Sequence, residues 1–254
     1  MKDALTVKEI RTLEESARRR GFSEALLIEN ASSNLAATVD TLKLGRKVLV
    51  VAGCGNNGAD VLACARKLAA RNYKVRIFLI HEKEPNVNSA FQIKLLEALC
   101  ISMRRLGKDN RNNFLAAVRD SDFIIDGILG IGAHGKLSEF LSDTINIINE
   151  SGRPIIACDI SSGLEADSGK ILGVAIRAAY TITFTAAKRA FSVPGLRRWC
   201  GKVITVDIGI SRAHLEALSS VNLPYDIPHG TTNIVREPRG ENGQCKKKYR
   251  KRPL

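Results

Sequence analysis

Near residue 47 the hydrophobic period of this chain changes, and no other feature restricts the fold as much. Before it, residues 6–20 place Val7, Ile10, Leu13 and Ala17 at intervals of three and four, behind Thr6 and Glu9 at capping-box spacing. Residues 23–42 continue through Ala25, Leu26, Ile28 and Leu35. Both segments read as helices. The run 47–52, Lys-Val-Leu-Val-Val-Ala, is then apolar without alternation, as a strand buried on both faces of a parallel sheet should be. Strand-like runs at 74–80, 122–127 and 154–159 take turns with helical patterns at 59–70, 88–100, 110–119 and 137–149, and runs at 180–185 and 202–208 close the series. Such alternation implies right-handed crossovers and an α/β fold. The architecture expected is a three-layer αβα sandwich with a mostly parallel central sheet, its last two strands at the far edge.

The length of 254 residues suits one large α/β domain with a short appendage. Periodicity fades after residue 210, and 222–230 is rich in turn formers, so the domain is expected to occupy 1–215, with a turn-rich segment and a disordered basic tail over 216–254. The net charge of +13 is unevenly placed: residues 236–254 hold eight Lys/Arg and two Glu, a net of +6. A solvated basic end is the reading adopted, with RNA or an acidic surface as its alternative, and nucleic acid is not expected as a partner. Apolar residues at 44% and charged residues at 26% exclude global disorder. No run approaches the roughly 18 apolar residues of a membrane span, and a soluble, cytoplasmic protein is expected. The six cysteines contain no C-x-x-C pair, which argues against zinc.

Ligands in doubly wound sheets sit beyond the carboxyl ends of the strands, and four loops there concentrate unusual residues: 53–60, 126–135, 159–163 and 185–188. The first, Gly-Cys-Gly-Asn-Asn-Gly-Ala-Asp, satisfies G-x-G-x-x-G between a strand and a helix, with Glu82 near the end of the next strand, and so suggests a dehydrogenase. Asp60 argues against that, since a carboxylate in the first helical turn would occupy the positive end offered to a pyrophosphate. Asn56 and Asn57 present amides suited to hydroxyls, carboxamides or a cation.

In order along residues 6–210, four motifs resemble those of the NAD(P)H-hydrate epimerases, the YjeF N-terminal domain family. They are Leu-Ile-Glu-Asn-Ala at 27–31, Gly-Asn-Asn-Gly-Ala-Asp at 55–60, Asp-Ile-Ser-Ser-Gly at 159–163 with Gly169 beyond, and Thr-Ile-Thr-Phe-Thr-Ala-Ala-Lys at 181–188. The resemblance implies a Rossmann-like domain that interconverts the R and S forms of hydrated nicotinamide cofactor, NADHX or NADPHX, and supplies the epimer used by a separate dehydratase. It implies a homodimer, with the N-terminal helices as one candidate interface. It also implies substrate contacts from Asn56, Asn57, Gly58, Ala59 and Asp60, from Gly130, Ile131, Gly132, Ala133, His134, Gly135 and Lys136, and from Asp159. Potassium (K+) would be held by Asn57, Asp126 and Ser162, whose amide, carboxylate and hydroxyl oxygens are hard donors suited to it.

The hydroxylated carbon adjoins the ring nitrogen, so its stereochemistry can be lost through an iminium-like species or ring opening. Either route moves protons on and off oxygen, with Asp159 the candidate acid or base and Lys188 a second group or a phosphate contact. Plainer readings stand beside these: Asp126 as a cap, Asp159 as a structural strand-end residue, Lys188 as an ordinary exposed lysine, the asparagines as a turn, His134 as incidental, and Cys158 as a buried thiol. Three positions depart from the family pattern: Ala59 and Ser32 stand where glycine is usual, and Ser161 replaces a proline. Ala59 is expected to restrict backbone approach and positive φ, and Ser161 to loosen the turn before Ser162. A non-catalytic scaffold of the same fold, of the kind found in the enhancer-of-mRNA-decapping family, is the rival reading. It has little need of Asn56, Asn57, Asp60, Asp126, Asp159 and Ser162 together.

Overall fold

A computed structural model describes residues 4–210. The expected boundary at 215 and the tail over 216–254 lie outside the described residues. Two helices, α1 (Val7–Arg19) and α2 (Glu24–Leu42), precede the alternating region. The expected capping box forms: the Glu9 N–H donates to Thr6 Oγ1 at 3.2 Å and the Thr6 N–H to Glu9 Oε2 at 2.8 Å. There follow β1 (Lys47–Ala52), α3 (Asn56–Ala70), β2 (Lys74–Leu79), α4 (Val87–Ala98), β3 (Met103–Arg105), α5 (Arg111–Asp120), β4 (Phe123–Gly127) and α6 (Glu139–Asn149). The described chain closes with β5 (Ile155–Cys158), β6 (Tyr180–Phe184), α7 (Arg197–Cys200) and β7 (Lys202–Val206).

All seven strands pair in parallel, in the order β3-β2-β1-β4-β5-β6-β7, with β6 and β7 at the far edge as expected. The uninterrupted apolar text of β1 has its cause in two cores. Val48, Val50 and Ala52 face a cluster that includes Leu35 and Val39 of α2 and Leu62 and Leu68 of α3. Leu49 and Val51 face a second cluster built with Phe114 of α5 and Ile145 and Ile148 of α6. Each fully buried branched side chain contributes about 1.5–3 kcal/mol, so a polar residue anywhere in β1 would forfeit burial on one face or the other. Strand order reverses between β1 and β4, and the crevice at their carboxyl ends is where such a sheet holds ligands.

Two expectations need correction. Helix α3 begins at Asn56 rather than Ala59, so Asp60 lies one turn deeper than the first turn assigned to it. Strand β3 went unforeseen because its three residues, Met-Arg-Arg, are exposed or half-buried and carry no apolar run. No described helix is long and apolar enough to cross a membrane.

Candidate active site

The β1–α3 turn closes only because its glycines have no side chains. A Cβ on Gly58 would lie 2.0 Å from the Gly53 carbonyl oxygen, and one on Gly53 would lie 1.9 Å from that of Ile128. This close approach sets Asn57 in the first turn of α3, beneath the loop that follows β4. The Asn57 Nδ2 donates to the Leu129 carbonyl at 2.8 Å, while its Oδ1 is buried and has no partner among the described residues. The Leu129 N–H donates to Ser162 Oγ at 2.8 Å, and that hydroxyl donates to Asp126 Oδ1 at 2.6 Å. Asp126, at the end of β4 and fully buried, also accepts from the Ser162 N–H at 2.9 Å. Burial raises its carboxyl to about 6, against the lowering effect of those hydrogen bonds. Asn57, Asp126 and Ser162 therefore stand in one hydrogen-bonded network around the Leu129 peptide.

Asp159 follows β5 in a left-handed conformation, φ 64°, which aspartate tolerates better than most residues. Its Oδ1 accepts from Thr183 Oγ1 at 3.0 Å, from the Phe184 N–H at 3.1 Å and from Lys188 Nζ. Oδ2 accepts no hydrogen bond among the described residues. Lys188, read as exposed in the plainest view of the sequence, is instead 1% exposed, and its ammonium also donates to the Phe184 carbonyl at 3.2 Å. The loop carrying it is tied to the N-terminal segment: the Leu5 N–H donates to the Ala187 carbonyl at 2.8 Å and the Arg189 N–H to the Leu5 carbonyl at 3.0 Å.

These groups meet in a cleft of about 780 Å³. Asn56, Asn57 and Asp60 line one part, Gly130, Ile131, Gly132, Ala133, His134 and Lys136 another, and Asp159 and Lys188 a third. Gly58 and Ala59 are buried and do not line it, nor do Gly135, Asp126 or Ser162. The Asn56 amide is braced, its Oδ1 accepting from Asn86 at 2.6 Å and Asn88 at 3.0 Å. The His134 ring is exposed and makes a 2.9 Å contact from Nδ1 to the Gly132 carbonyl. Sequence reasoning overlooked Arg11, Glu14 and Glu24, which α1 and α2 bring to the same cleft. Helix periodicity gives them only as polar-face residues; what delivers them is the docking of α1, which the sequence does not signal. Burial raises the carboxyls of both Asp60, well above its usual range, and Glu14. The neighbouring charge of Asp159 raises both further, while Lys188 opposes the shift.

The departures from the family pattern prove to be accommodated. Ala59 lies in regular helix, fully buried against Ile28 and Ala63, and no positive φ is asked of it. Ser161 does not leave its turn loose, because its buried hydroxyl donates to the Trp199 carbonyl at 2.7 Å. Ser32, also buried, donates to the Ile28 carbonyl at 2.6 Å and accepts from Lys67 Nζ at 2.8 Å.

Residues 24–190 match the family model described as YjeF-related protein N-terminus, and the chain belongs to that family. It is 36% identical over 243 residues to the bifunctional NAD(P)H-hydrate repair enzyme Nnr of Archaeoglobus fulgidus, a match covering 94% of this chain and 48% of that protein. It is 31% identical to the NAD(P)H-hydrate epimerase of Pirellula staleyi, over 79% of this chain and 89% of that one, and 31% identical to that of Elusimicrobium minutum, over 85% and 99%. The chain spans less than half the length of the bifunctional relatives it matches. Among solved structures it is similar in fold to the yeast protein YNL200c, with a TM-score of 0.68 and 21% identity over 80% of this chain and 86% of that one.

Proposed function

We propose that this domain epimerises hydrated nicotinamide cofactor, NADHX or NADPHX, at the ring carbon that bears the added hydroxyl. The observation that carries the reading is the Asp159 carboxylate, with one oxygen held by three donors and the other left open in a cleft large enough for part of a dinucleotide. Asp159 exchanges protons with the hydroxyl or with water, and the Lys188 ammonium keeps its carboxylate fixed in place. Asn56, Asn57, Asp60, the loop from Gly130 to Lys136 and Asp159 bind the substrate. Gly58, Ala59 and Gly135 act through the backbone path they set rather than through contact. Asp60, whose carboxyl burial raises well above its usual range, lines the wall that meets a substrate oxygen.

The donor chemistry fits potassium. The Asn57 amide oxygen, buried and without a partner among the described residues, the Asp126 carboxylate, the Ser162 hydroxyl and the Leu129 carbonyl are all hard oxygen ligands. Asn57, Asp126 and Ser162 would hold the ion, which would supply a fixed positive charge beneath the loop that covers the substrate. The domain acts as a cytoplasmic homodimer in concert with an NAD(P)HX dehydratase activity, without need of nucleic acid or membrane.

The test is interconversion of purified R and S epimers, separated by chromatography, with wild type and Asp159→Asn in potassium buffer. Rapid equilibration by wild type, lost in the variant, supports the reading. No acceleration by folded wild type overturns it.

A further inference from the structure

Inverting a hydroxylated carbon through a planar iminium requires the hydroxyl to leave from one face and water to arrive on the other. Each event needs its own proton transfer. Asp159 is held in place by three hydrogen bonds to its Oδ1 at the end of β5, so a second proton-transfer group on another wall of the cleft would serve the opposite face. We infer that Glu14, carried into the cleft by α1, is the second proton-transfer residue, serving the face opposite Asp159; this rests on the epimerase reading above.

The other carboxylates of the cleft, Asp60 apart, are committed to partners, as is Lys188. Glu24 pairs with Arg18 at 2.5 Å, Glu82 accepts from the Ser138 hydroxyl at 2.5 Å, and Lys188 is bound to Asp159 and the Phe184 carbonyl. Glu14 and Asp60 carry no hydrogen bond or ion pair among the described residues. Asp60 belongs to α3, on the same wall as the asparagines, whereas Glu14 is the only carboxylate that α1 places in the cleft. The groups that face Glu14 are Asp159, Asp60, Glu24, Lys188 and Arg18; burial, then the charges of Asp159 and Glu24, raise its carboxyl, against the two cations. With no hydrogen bond or ion pair of its own among the described residues, Glu14 is placed to act as the acid, while Asp159, its Oδ1 held by three donors and its Oδ2 open, is the base.

Helix α1 is fixed for such a role. Its first N–H groups are capped by Thr6 and by Asp167, which accepts from the Val7 N–H at 2.7 Å, and Leu5 bridges to the loop of Lys188. From one epimer, Glu14 gives its proton to the hydroxyl. The C–O bond breaks with its electron pair leaving in water, and the ring nitrogen lone pair forms C=N. A water on the other face then forms the new C–O bond, closing the C=N electrons back onto nitrogen, and gives its proton to Asp159. The opposite epimer uses the same two groups with their roles exchanged.

The experiment compares kcat and KM across pH for wild type, Glu14→Gln, Glu14→Asp and Asp60→Asn, with folding followed by thermal melting. Wild type should show two limbs. Glu14→Gln should lose about 100-fold in kcat with KM changed by less than about threefold, and should lose the alkaline limb, where Glu14 would otherwise deprotonate. Glu14→Asp should recover part of the rate and restore that limb. A folded Glu14→Gln enzyme with wild-type kcat and both limbs overturns the inference, as does loss of the alkaline limb in Asp60→Asn but not in Glu14→Gln. A wild type that does not accelerate epimerisation overturns the underlying reading instead.

Discussion

Replacing Asp159 with asparagine isolates one electrostatic quantity. Asparagine tolerates the left-handed conformation as well as aspartate does and keeps an oxygen to accept from Thr183 and Phe184, so backbone and shape are preserved. What disappears is the charge opposite Lys188, whose side chain is 2% exposed against 14% for Asp159. Stranding one partner of a buried ion pair costs about 3–5 kcal/mol. The lower figure, about 3 kcal/mol, applies here because the Phe184 carbonyl and the new amide oxygen still accept from the ammonium. That corresponds to a fall in melting temperature of roughly 6–12 °C. Lys188→Met should cost less, since the stranded carboxylate keeps two donors and borders the open cleft. Adding Lys188→Met to Asp159→Asn should recover about half of the loss, because the uncompensated cation is then gone. Urea unfolding followed by circular dichroism gives all four stabilities. Strict additivity of the two substitutions, or an Asp159→Asn protein as stable as wild type, would refute the claim that Lys188 is a buried charge balanced by this carboxylate.

Three further outcomes are expected. Gly58→Ala would press a methyl group to 2.0 Å from the Gly53 carbonyl oxygen, and the β1–α3 turn should lose about 1–3 kcal/mol, seen as a lower melting temperature; an unchanged melt would contradict the packing described. Ser161→Ala removes a 2.7 Å hydrogen bond to the Trp199 carbonyl, which still accepts from the Ala178 N–H at 3.0 Å, for a loss of about 0.5–1.5 kcal/mol in the same measurement. Potassium at tenfold its dissociation constant should stabilise wild type by about 1.4 kcal/mol relative to choline, and Asn57→Ala should abolish the difference. Equal responses in the two proteins would remove Asn57 from the cation site.

Much of the architecture could be read from the sequence because a parallel sheet buried on both faces writes itself in uninterrupted apolar runs, as in β1 from Val48 on, in the first three residues of β4 and in β5. Strand β3, paired to the sheet on one edge only, leaves no such trace. The asparagine pair, Asp126, Asp159 and Ser162 were visible as unusual residues at strand ends. Lys188 was legible as a residue type but not as a buried one, because Leu5 and Asp159 reach it from distant parts of the chain. Glu14 had no local signal at all. On an amphipathic helix it reads like any polar-face residue, and only the docking of α1 against the Lys188 loop gives it neighbours.

The bridge between Leu5 and the residues around Lys188 has a bearing on synthesis. The first turn of α1 must wait for Asp167, 160 residues later, and Leu5 for a loop later still. During translation this segment, made before the sheet, is thus among the last parts of the domain to settle, and loop closure over that span comes only after the sheet exists to receive it. Until then one wall of the cleft is missing. A nascent or partly unfolded chain presents an incomplete pocket, so ligand binding at this cleft would report that the whole domain, from its first strand-like residue to β6, has come together.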